Sequence, residues 1–344
     1  MIRWLSALLA ALVLGLAGCT TLPAATPGDT RPLVSPYDSR LFNTRTLAPL
    51  TVAQLAAELA SADVVIVGEI HGHQGSHLLQ ARLQGSLHRI RPAQVLSMEQ
   101  FNLDHQAALD EYLAGDTGEM ELREDAHAWP NYPGSYRPLI EYARYHRLPV
   151  IAANAPAHTV RCVGRQGASY LDRLPESARQ ALPAAPFYGT APYQRKFFAH
   201  MEQHGPADGR SHNEGRRDRL HNSYLAQLLR DNTMAERILH ALAAHPEGQV
   251  LHTTGTFHSE AYLGTVAALR ARQPDLRVSV ISPIQVTPGE PIHLSAEHRA
   301  QGDYVYFITT LPEAYLDPVR RQKSWQQQFA KAAARPCDRS APAE

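Results

Sequence analysis

The chain has 344 residues, with 33 Lys and Arg against 33 Asp and Glu, so its formal net charge is zero. That balance argues against a nucleic-acid binder, which needs a basic surplus on one surface. The length suits one large α/β domain, alone or with an inserted subdomain, and 25 prolines with 21 glycines predict frequent loops around a packed core.

The N-terminus is an address. Arg3 supplies a positive end, and Leu5 to Leu16 form an apolar run too short for a spanning helix. Leu16-Ala17-Gly18-Cys19 closes it and resembles the lipobox of bacterial lipoproteins, where the cysteine is lipidated and becomes the mature N-terminus. We therefore expect a signal peptide over 1–18 and lipid on Cys19. Thr20, with no Asp after the cysteine, favours by the same resemblance an outer-membrane, periplasm-facing location. An ordinary cleaved signal with an incidental cysteine is the alternative. Residues 19–48 carry Pro23, Pro27, Pro32 and Pro36 without sustained periodicity and are expected to be a tether. Cys162 and Cys337 remain; in an oxidising compartment they could pair, which spacing alone leaves open.

From Thr51 to Leu59 apolar residues recur at helical spacing behind a Thr N-cap. Val64-Val65-Ile66-Val67 then predicts a strand buried on both faces. Gly68 breaks the run, and Glu69, Ile70, His71, Gly72 and His73 follow before a helical pattern resumes to Leu87. Gln94–Glu99 is a second apolar strand ending in a carboxylate. A helix between two such strands is a βαβ unit, which is expected to place Glu99 beside Glu69. Helix is predicted over 104–113 and 137–147, flanking an aromatic loop from Trp129 to Tyr136. Leu148–Asn154 is a third strand, with Pro149 at its start where no ladder donor is needed. No convincing strand appears from 156 to 247; helices are predicted near 194–203, 216–229 and 233–244. Strands return at Gln249–Gly255, Leu276–Ile281 and Tyr304–Ile308. The expected fold class is α/β, a mostly parallel sheet flanked by helices. Residues 49–155 and 248–325 would form the α/β domain, 156–247 an inserted small helical subdomain, and 326–344 a polar tail.

Four groups fall at or just past strand ends: Glu69, His71, Glu99 and His258. The carboxyl edge of an open α/β sheet is where ligands bind. Two carboxylates and two imidazoles can act as a catalytic acid–base set, or as a first shell for zinc, manganese or a similar ion. They can equally be a hydrogen-bonded network in which each histidine is oriented by a glutamate. Asn154 ends a third strand and could orient a ligand. His73 and His77 share a helix face and are expected to be solvated unless they extend a metal site. There is no Gly-x-Ser-x-Gly elbow and no His-Glu-x-x-His helix, which weakens a serine hydrolase or a thermolysin-like zinc site. Haem iron accepts His or Tyr as an axial ligand. The helical region offers Tyr188, Tyr193, His200, His204, His212, His221 and Tyr224.

Taken in order, Gly68-Glu69-Ile70-His71, Met98-Glu99-Gln100-Phe101, the Trp129–Tyr136 loop, Leu148–Asn154, Asp231-Asn232-Thr233-Met234-Ala235 and Gly255-Thr256-Phe257-His258 resemble the ChaN-like haem-binding lipoproteins of the Tiki-like superfamily. The resemblance runs over roughly 60–285. It implies a parallel α/β domain with a small helical domain, in a lipoprotein of haem or iron acquisition or storage that binds haem at a homodimer interface. The implied iron ligand is a tyrosine supported by a histidine; the candidates here are Tyr193, His200, His212 and Tyr224. The same superfamily holds erythromycin esterase-like and metal-dependent protease members, which use the Glu and His groups of the sheet edge. The competing expectation is therefore a metal-dependent hydrolase built on Glu69, His71, Glu99 and His258.

Overall fold

The structure, a computed structural model, describes residues 31–204 and 213–337. The expected signal segment, Cys19 and His212 lie outside the described residues. Eight strands follow in chain order: β1 (Arg40–Asn43), β2 (Pro49–Leu50), β3 (Val64–Glu69), β4 (Gln94–Asn102), β5 (Val150–Asn154), β6 (Gln249–Gly255), β7 (Val278–Val286) and β8 (Tyr304–Thr309). The main helices are α1 (Val52–Glu58), α2 (Gln74–Ile90), α3 (Gln106–Ala114), α4 (Arg137–His146), α5 (Ala157–Gln166), α6 (Ala191–His204), α7 (Asn213–Ala244), α8 (Thr265–Arg272) and α9 (Pro318–Ala333).

All strands join one sheet in the order β2-β1-β8-β7-β3-β6-β4-β5. The six strands from β8 to β5 are parallel, and β1 and β2 extend the β8 edge antiparallel. This corrects one expectation. β3 and β4 are not neighbours, because β6 lies between them, pairing Val250 with Val64 on one side and with Val95 on the other. The first crossover skips a position, and the chain returns nearly 150 residues later to fill it. The end of β6 therefore delivers Gly255, and just beyond it His258, into the gap between Glu69 and Glu99.

Side-chain alternation along the strands feeds two separate layers. Val65, Val67, Leu96, Met98 and Leu251 face α1, α2, α3 and α4. Val64, Ile66, Val95 and Val250 face α7 and α8, through Ala235, Ile238, Ala241, Val266 and Leu269. Because both faces are covered, β3 is buried along its whole length, as its unbroken apolar run requires. β7 runs past the predicted Ile281 and contains Pro283. Its pairing with β3 stops at Ile281, so Pro283 has β8 alone as a partner and its missing N–H breaks no ladder on the other side.

β1 falls in the stretch expected to be tether. Three of its four residues are nonetheless buried, Leu41 in the layer with α1 and α2, and Phe42 edge-on to Phe307 at 5.6 Å on the other side. Where two helices were predicted across 216–244, one helix of 32 residues runs. Asn232 and Thr233 do not break it, since Asn232 Nδ2 donates to the Leu228 carbonyl at 2.8 Å and Thr233 Oγ1 to that of Leu229 at 2.7 Å. The C-terminal half of α7 packs on the sheet, while Tyr224 and Leu228 pack with Tyr193 and Phe197 of α6. Cys162 of α5 and Cys337 are joined by a disulfide, with Cα atoms 5.6 Å apart.

Candidate functional site

Glu69 is the last residue of β3, and its carboxylate is buried at the sheet's carboxyl edge. A buried carboxylate is tolerable only when hydrogen bonds replace its lost water. Glu69 Oε1 accepts from His71 Nδ1 at 2.8 Å, from the Tyr136 hydroxyl at 2.7 Å and from Gln100 Nε2 at 3.3 Å. Oε2 accepts from Gln80 Nε2 at 2.7 Å. Burial, and next the charge of Glu69, raise the Tyr136 phenol far above its ordinary pKa, so it remains a donor. His71 leaves the cluster partly in the open, its side chain 45% exposed, with its ring edge-on to Trp129 at 4.9 Å. Burial pulls the His71 pKa down, but the Glu69 hydrogen bond and the charge of Glu99 raise it overall.

Glu99 belongs to β4, two strands away, and it too is buried. Its Oε2 accepts from the Gly255 N–H at 2.6 Å and from Thr254 Oγ1 at 2.7 Å. His258 Nε2 stands 3.4 Å from Oε1. The opposite ring nitrogen, Nδ1, donates to Asp231 Oδ1 at 2.8 Å, and the Tyr193 hydroxyl donates to Asp231 Oδ2 at 2.7 Å. A continuous chain thus runs Tyr193–Asp231–His258–Glu99. Burial pulls His258 down, but Glu99 and Asp231 on its two sides push it up to about 10. Burial also pushes Glu99 up, and the facing His258 more than reverses this, holding it well below the carboxylate range. The buried pair is therefore carboxylate and imidazolium at neutral pH.

Gly255 joins the two halves. A Cβ at this position would sit 2.8 Å from His71 Nε2 and 3.7 Å from Glu99 Oε2. Only a residue without a side chain lets the His71 ring lie over the strand and approach Glu99 from the other side. The four expected residues are thus brought together, Glu69 from the end of β3, Glu99 from within β4, which runs on to Asn102 beyond the expected end, and the two histidines from segments that follow strands.

They are not brought together as a metal centre. Among the described residues no group of three or more His, Cys, Asp and Glu side chains has the arrangement to hold a metal ion. The physical reason is that Glu69, Glu99 and His258 spend their lone pairs and protons on one another and on Tyr136, Gln80, Thr254 and Asp231. His73 and His77 are not solvated as expected, and both are buried. His73 caps α2 by accepting from Gly75 N at 3.0 Å and lies 2.7 Å from the Thr309 carbonyl, while His77 Nε2 accepts from Gly72 N at 3.1 Å. Asn154 Oδ1 accepts from the next backbone N–H, Ala155, at 2.9 Å.

Of the four expected haem-contacting residues, His212 lies outside the described residues; the rings of Tyr193 and Tyr224 are 6.2 Å apart, and those of Tyr193 and His200 both meet Phe257. Tyr193 is buried with its hydroxyl committed to Asp231, which together with burial holds the phenol well above its ordinary pKa. Tyr224 is buried beside it, its rings packed against Tyr193, Phe197 and Phe198, and its pKa is pushed up to about 12 by burial. His200 is exposed on α6, its ring 5.3 Å from that of Phe257. Phe257 and the neighbouring Met201 are only partly buried, whereas Phe198, two residues before His200 on the helix, turns toward Phe197 and Tyr224. That surface suits a porphyrin in kind: an aromatic and thioether wall with an imidazole at its rim.

Sequence reasoning missed Asp231, Tyr136, Gln80 and Gln100 as members of the edge cluster. It also missed a cavity of about 910 Å³ at the ends of β4 and β5, lined among others by Asn102, His105, Trp129, Asn154, His158 and Arg230. Trp129 thus has one neighbour in His71 and also forms part of this cavity's wall.

Comparison with known proteins places these features in context. The model of the family described as haem-binding uptake, Tiki superfamily, ChaN, matches residues 55–269, more than half of the chain. Among solved structures, ChaN of Campylobacter jejuni, described as binding haem cofacially, is similar with 17% identity, 81% of this chain and 100% of that chain covered, and a TM-score of 0.58. A mutant of the erythromycin esterase EreC in its open conformation is 15% identical over 68% of this chain and 73% of its own, with a TM-score of 0.40, too low to carry an argument. No curated protein matches the chain.

Proposed function

Because this chain belongs to the haem-binding uptake family of the Tiki superfamily, we propose that it binds haem, and that the observation carrying the reading is the family match over 55–269. The surface we assign is the part of α6 beside Phe257, where Met201 and Phe257 would hold the porphyrin and the His200 imidazole would supply a nitrogen donor for the iron. Tyr193 and Tyr224 support that face from beneath. A haem held on so open a face is completed by a second copy of the chain, which is the homodimer we propose. The lipobox-like Leu16–Cys19 supports an outer-membrane anchor facing the periplasm, and with it a role in haem or iron acquisition or storage. Absorbance titration with haemin tests this. The expected result is a saturable Soret shift that His200→Ala weakens and that promotes dimers in sedimentation. Titration without a saturable shift would sink the reading.

A second reading rests on a separate observation, the proximity of His71 to Glu99 across Gly255. In it the protein hydrolyses an ester without a metal: the neutral His71 imidazole takes a proton from water as the water oxygen adds to the carbonyl, and returns that proton to the alcohol oxygen as the C–O bond to it breaks. Glu69 orients the ring, and the Glu99–His258–Asp231 chain fixes the charge beside it. Turnover of p-nitrophenyl acetate that is abolished in His71→Ala is expected, and equal rates in the two proteins would dismiss it.

A further inference from the structure

The cavity at the ends of β4 and β5 has a composition that neither haem stacking nor the edge cluster uses. Arg123, Arg161, Arg230 and Arg335 line it, together with His105, His127 and His158, against only two carboxylates, Asp104 and Glu124. Each cation comes from a different place: the segment before Trp129, α5, the middle of α7 and the stretch preceding Cys337. The disulfide between Cys162 and Cys337 fixes Arg335 against α5, and Arg165 reinforces this by donating to the Arg335 carbonyl at 2.8 Å.

Like charges gathered in one recess repel, and proteins normally relieve this by pairing each cation. Here the pairing is incomplete. Arg230 makes no hydrogen bond or ion pair among the described residues; only the more distant charges of Glu99 and Asp231 act favourably on it. Arg161 donates through Nη2 to His158 Nδ1 at 2.7 Å, a neutral acceptor, and its Nε is buried without a partner. Arg123 Nε and His105 Nδ1 are likewise buried and unpartnered among the described residues. His105 meets Asp104 only at 3.9 Å and stacks edge-on with His127 at 5.0 Å. Burial and then the charges of Arg165 and Arg335 lower the Arg161 pKa, the signature of cations crowded without counter-charge.

Buried N–H donors left unpaired in a native fold call for an acceptor from outside. Planar guanidinium groups are the side chains best matched to carboxylate and phosphate oxygens. We propose that this cavity is a binding site for a small oxyanion, a carboxylate or phosphate group, held by Arg230, Arg161 and Arg123 with His105 as a further donor. The site opens beside Asn102 and Asn154, at the carboxyl ends of parallel strands, where such folds bind ligands. It adjoins the haem-independent edge cluster through Trp129 and Arg230, and it does not depend on the haem reading.

Isothermal titration calorimetry of the protein with inorganic phosphate and, separately, with succinate tests it and tells the two oxyanions apart. Saturable binding of at least one is expected, weakened about tenfold or more by Arg230→Gln, since a hydrogen bond to a charged group carries that much affinity. Arg161→Gln is the second variant, useful if Arg230→Gln fails to fold by circular dichroism, and the same loss is expected from it. Absence of heat with both anions, or unchanged affinity in the folded variants, would overturn the proposal.

Discussion

Two regions of the same sheet edge treat charge in opposite ways. Around the ends of β3 and β6, with Glu99 reaching in from β4, every carboxylate oxygen of Glu69 and Glu99 has a partner, and His258 is clasped between two acids. One strand further out, beyond β4 and β5, four arginines share a recess with two carboxylates and leave donors unpaired. The first region is closed and pre-organised, so its chemistry is already decided by internal hydrogen bonds. The second is open and complete only with something that folding did not supply. A self-satisfied charge network is felt as stability when it is cut, whereas an unsatisfied one is felt as affinity.

The largest effect should come from cutting the closed network. Glu99→Ala removes one of the two counter-charges of a buried imidazolium and two hydrogen bonds, and about 3 kcal/mol of unfolding free energy should go with it. Denaturant unfolding reads this directly, and a loss under 1 kcal/mol (roughly the worth of an exposed pair) would show that the network is not what holds this edge.

The same network dictates a pH dependence. The folded His258 pKa is raised from 6.5 to about 10, so its contribution is complete below 6.5 and is lost as the pH climbs through 10. Glu99 is lowered from 4.5, so its contribution is present above 4.5 and lost as the pH falls toward its folded value. The pair is therefore strongest from 4.5 to 6.5. The stability gap between wild type and His258→Gln should shrink by on the order of a few kcal/mol from pH 6 to pH 10. A gap that is flat over that range contradicts a raised His258.

Gly255→Ala is the subtler break. The Gly255 backbone, with φ of −57°, admits alanine, so the penalty comes only from the Cβ against His71. Overpacking of this kind costs about 1–3 kcal/mol, or less if the half-exposed ring swings away. In that event the Glu69 hydrogen bond breaks and the His71 pKa, followed by proton NMR, should drop toward its ordinary value. An unchanged titration would mean that His71 does not lie over Gly255 in solution.

How much of this was legible in the sequence follows from the same contrast. Apolar runs, unbroken in β3 and β8 and shorter or interrupted in β4 and β6, announced these strands, and Glu69, His71, Glu99 and His258 were visible because they sit in or near them. The order of the strands was not visible: nothing local tells β6 to enter between β3 and β4, since the pairing is decided by packing over nearly 150 residues. β1 escaped notice because four residues in a proline-rich stretch show no period until β8, far along the chain, accepts them. Asp231 sits inside a helix with no local mark of its role, and the phenols of Tyr193 and Tyr224 carry no sequence sign that they point inward. The cavity was the least legible, since its residues come from several separate segments and each alone is an unremarkable surface arginine or histidine.

The smallest effect on stability belongs to the open region, and it is the sharpest test of the contrast. Arg161→Gln removes a guanidinium whose Nε has no partner and whose charge is opposed by Arg165 and Arg335. Relief of that crowding offsets the lost hydrogen bond to His158, so unfolding free energy should stay within about 0.5 kcal/mol of wild type or rise. Added phosphate or succinate should stabilise wild type by mass action and leave the variant less affected. Were Arg161→Gln as damaging as Glu99→Ala, the arginines would be structural partners of the fold, and the two regions would be one kind of network after all.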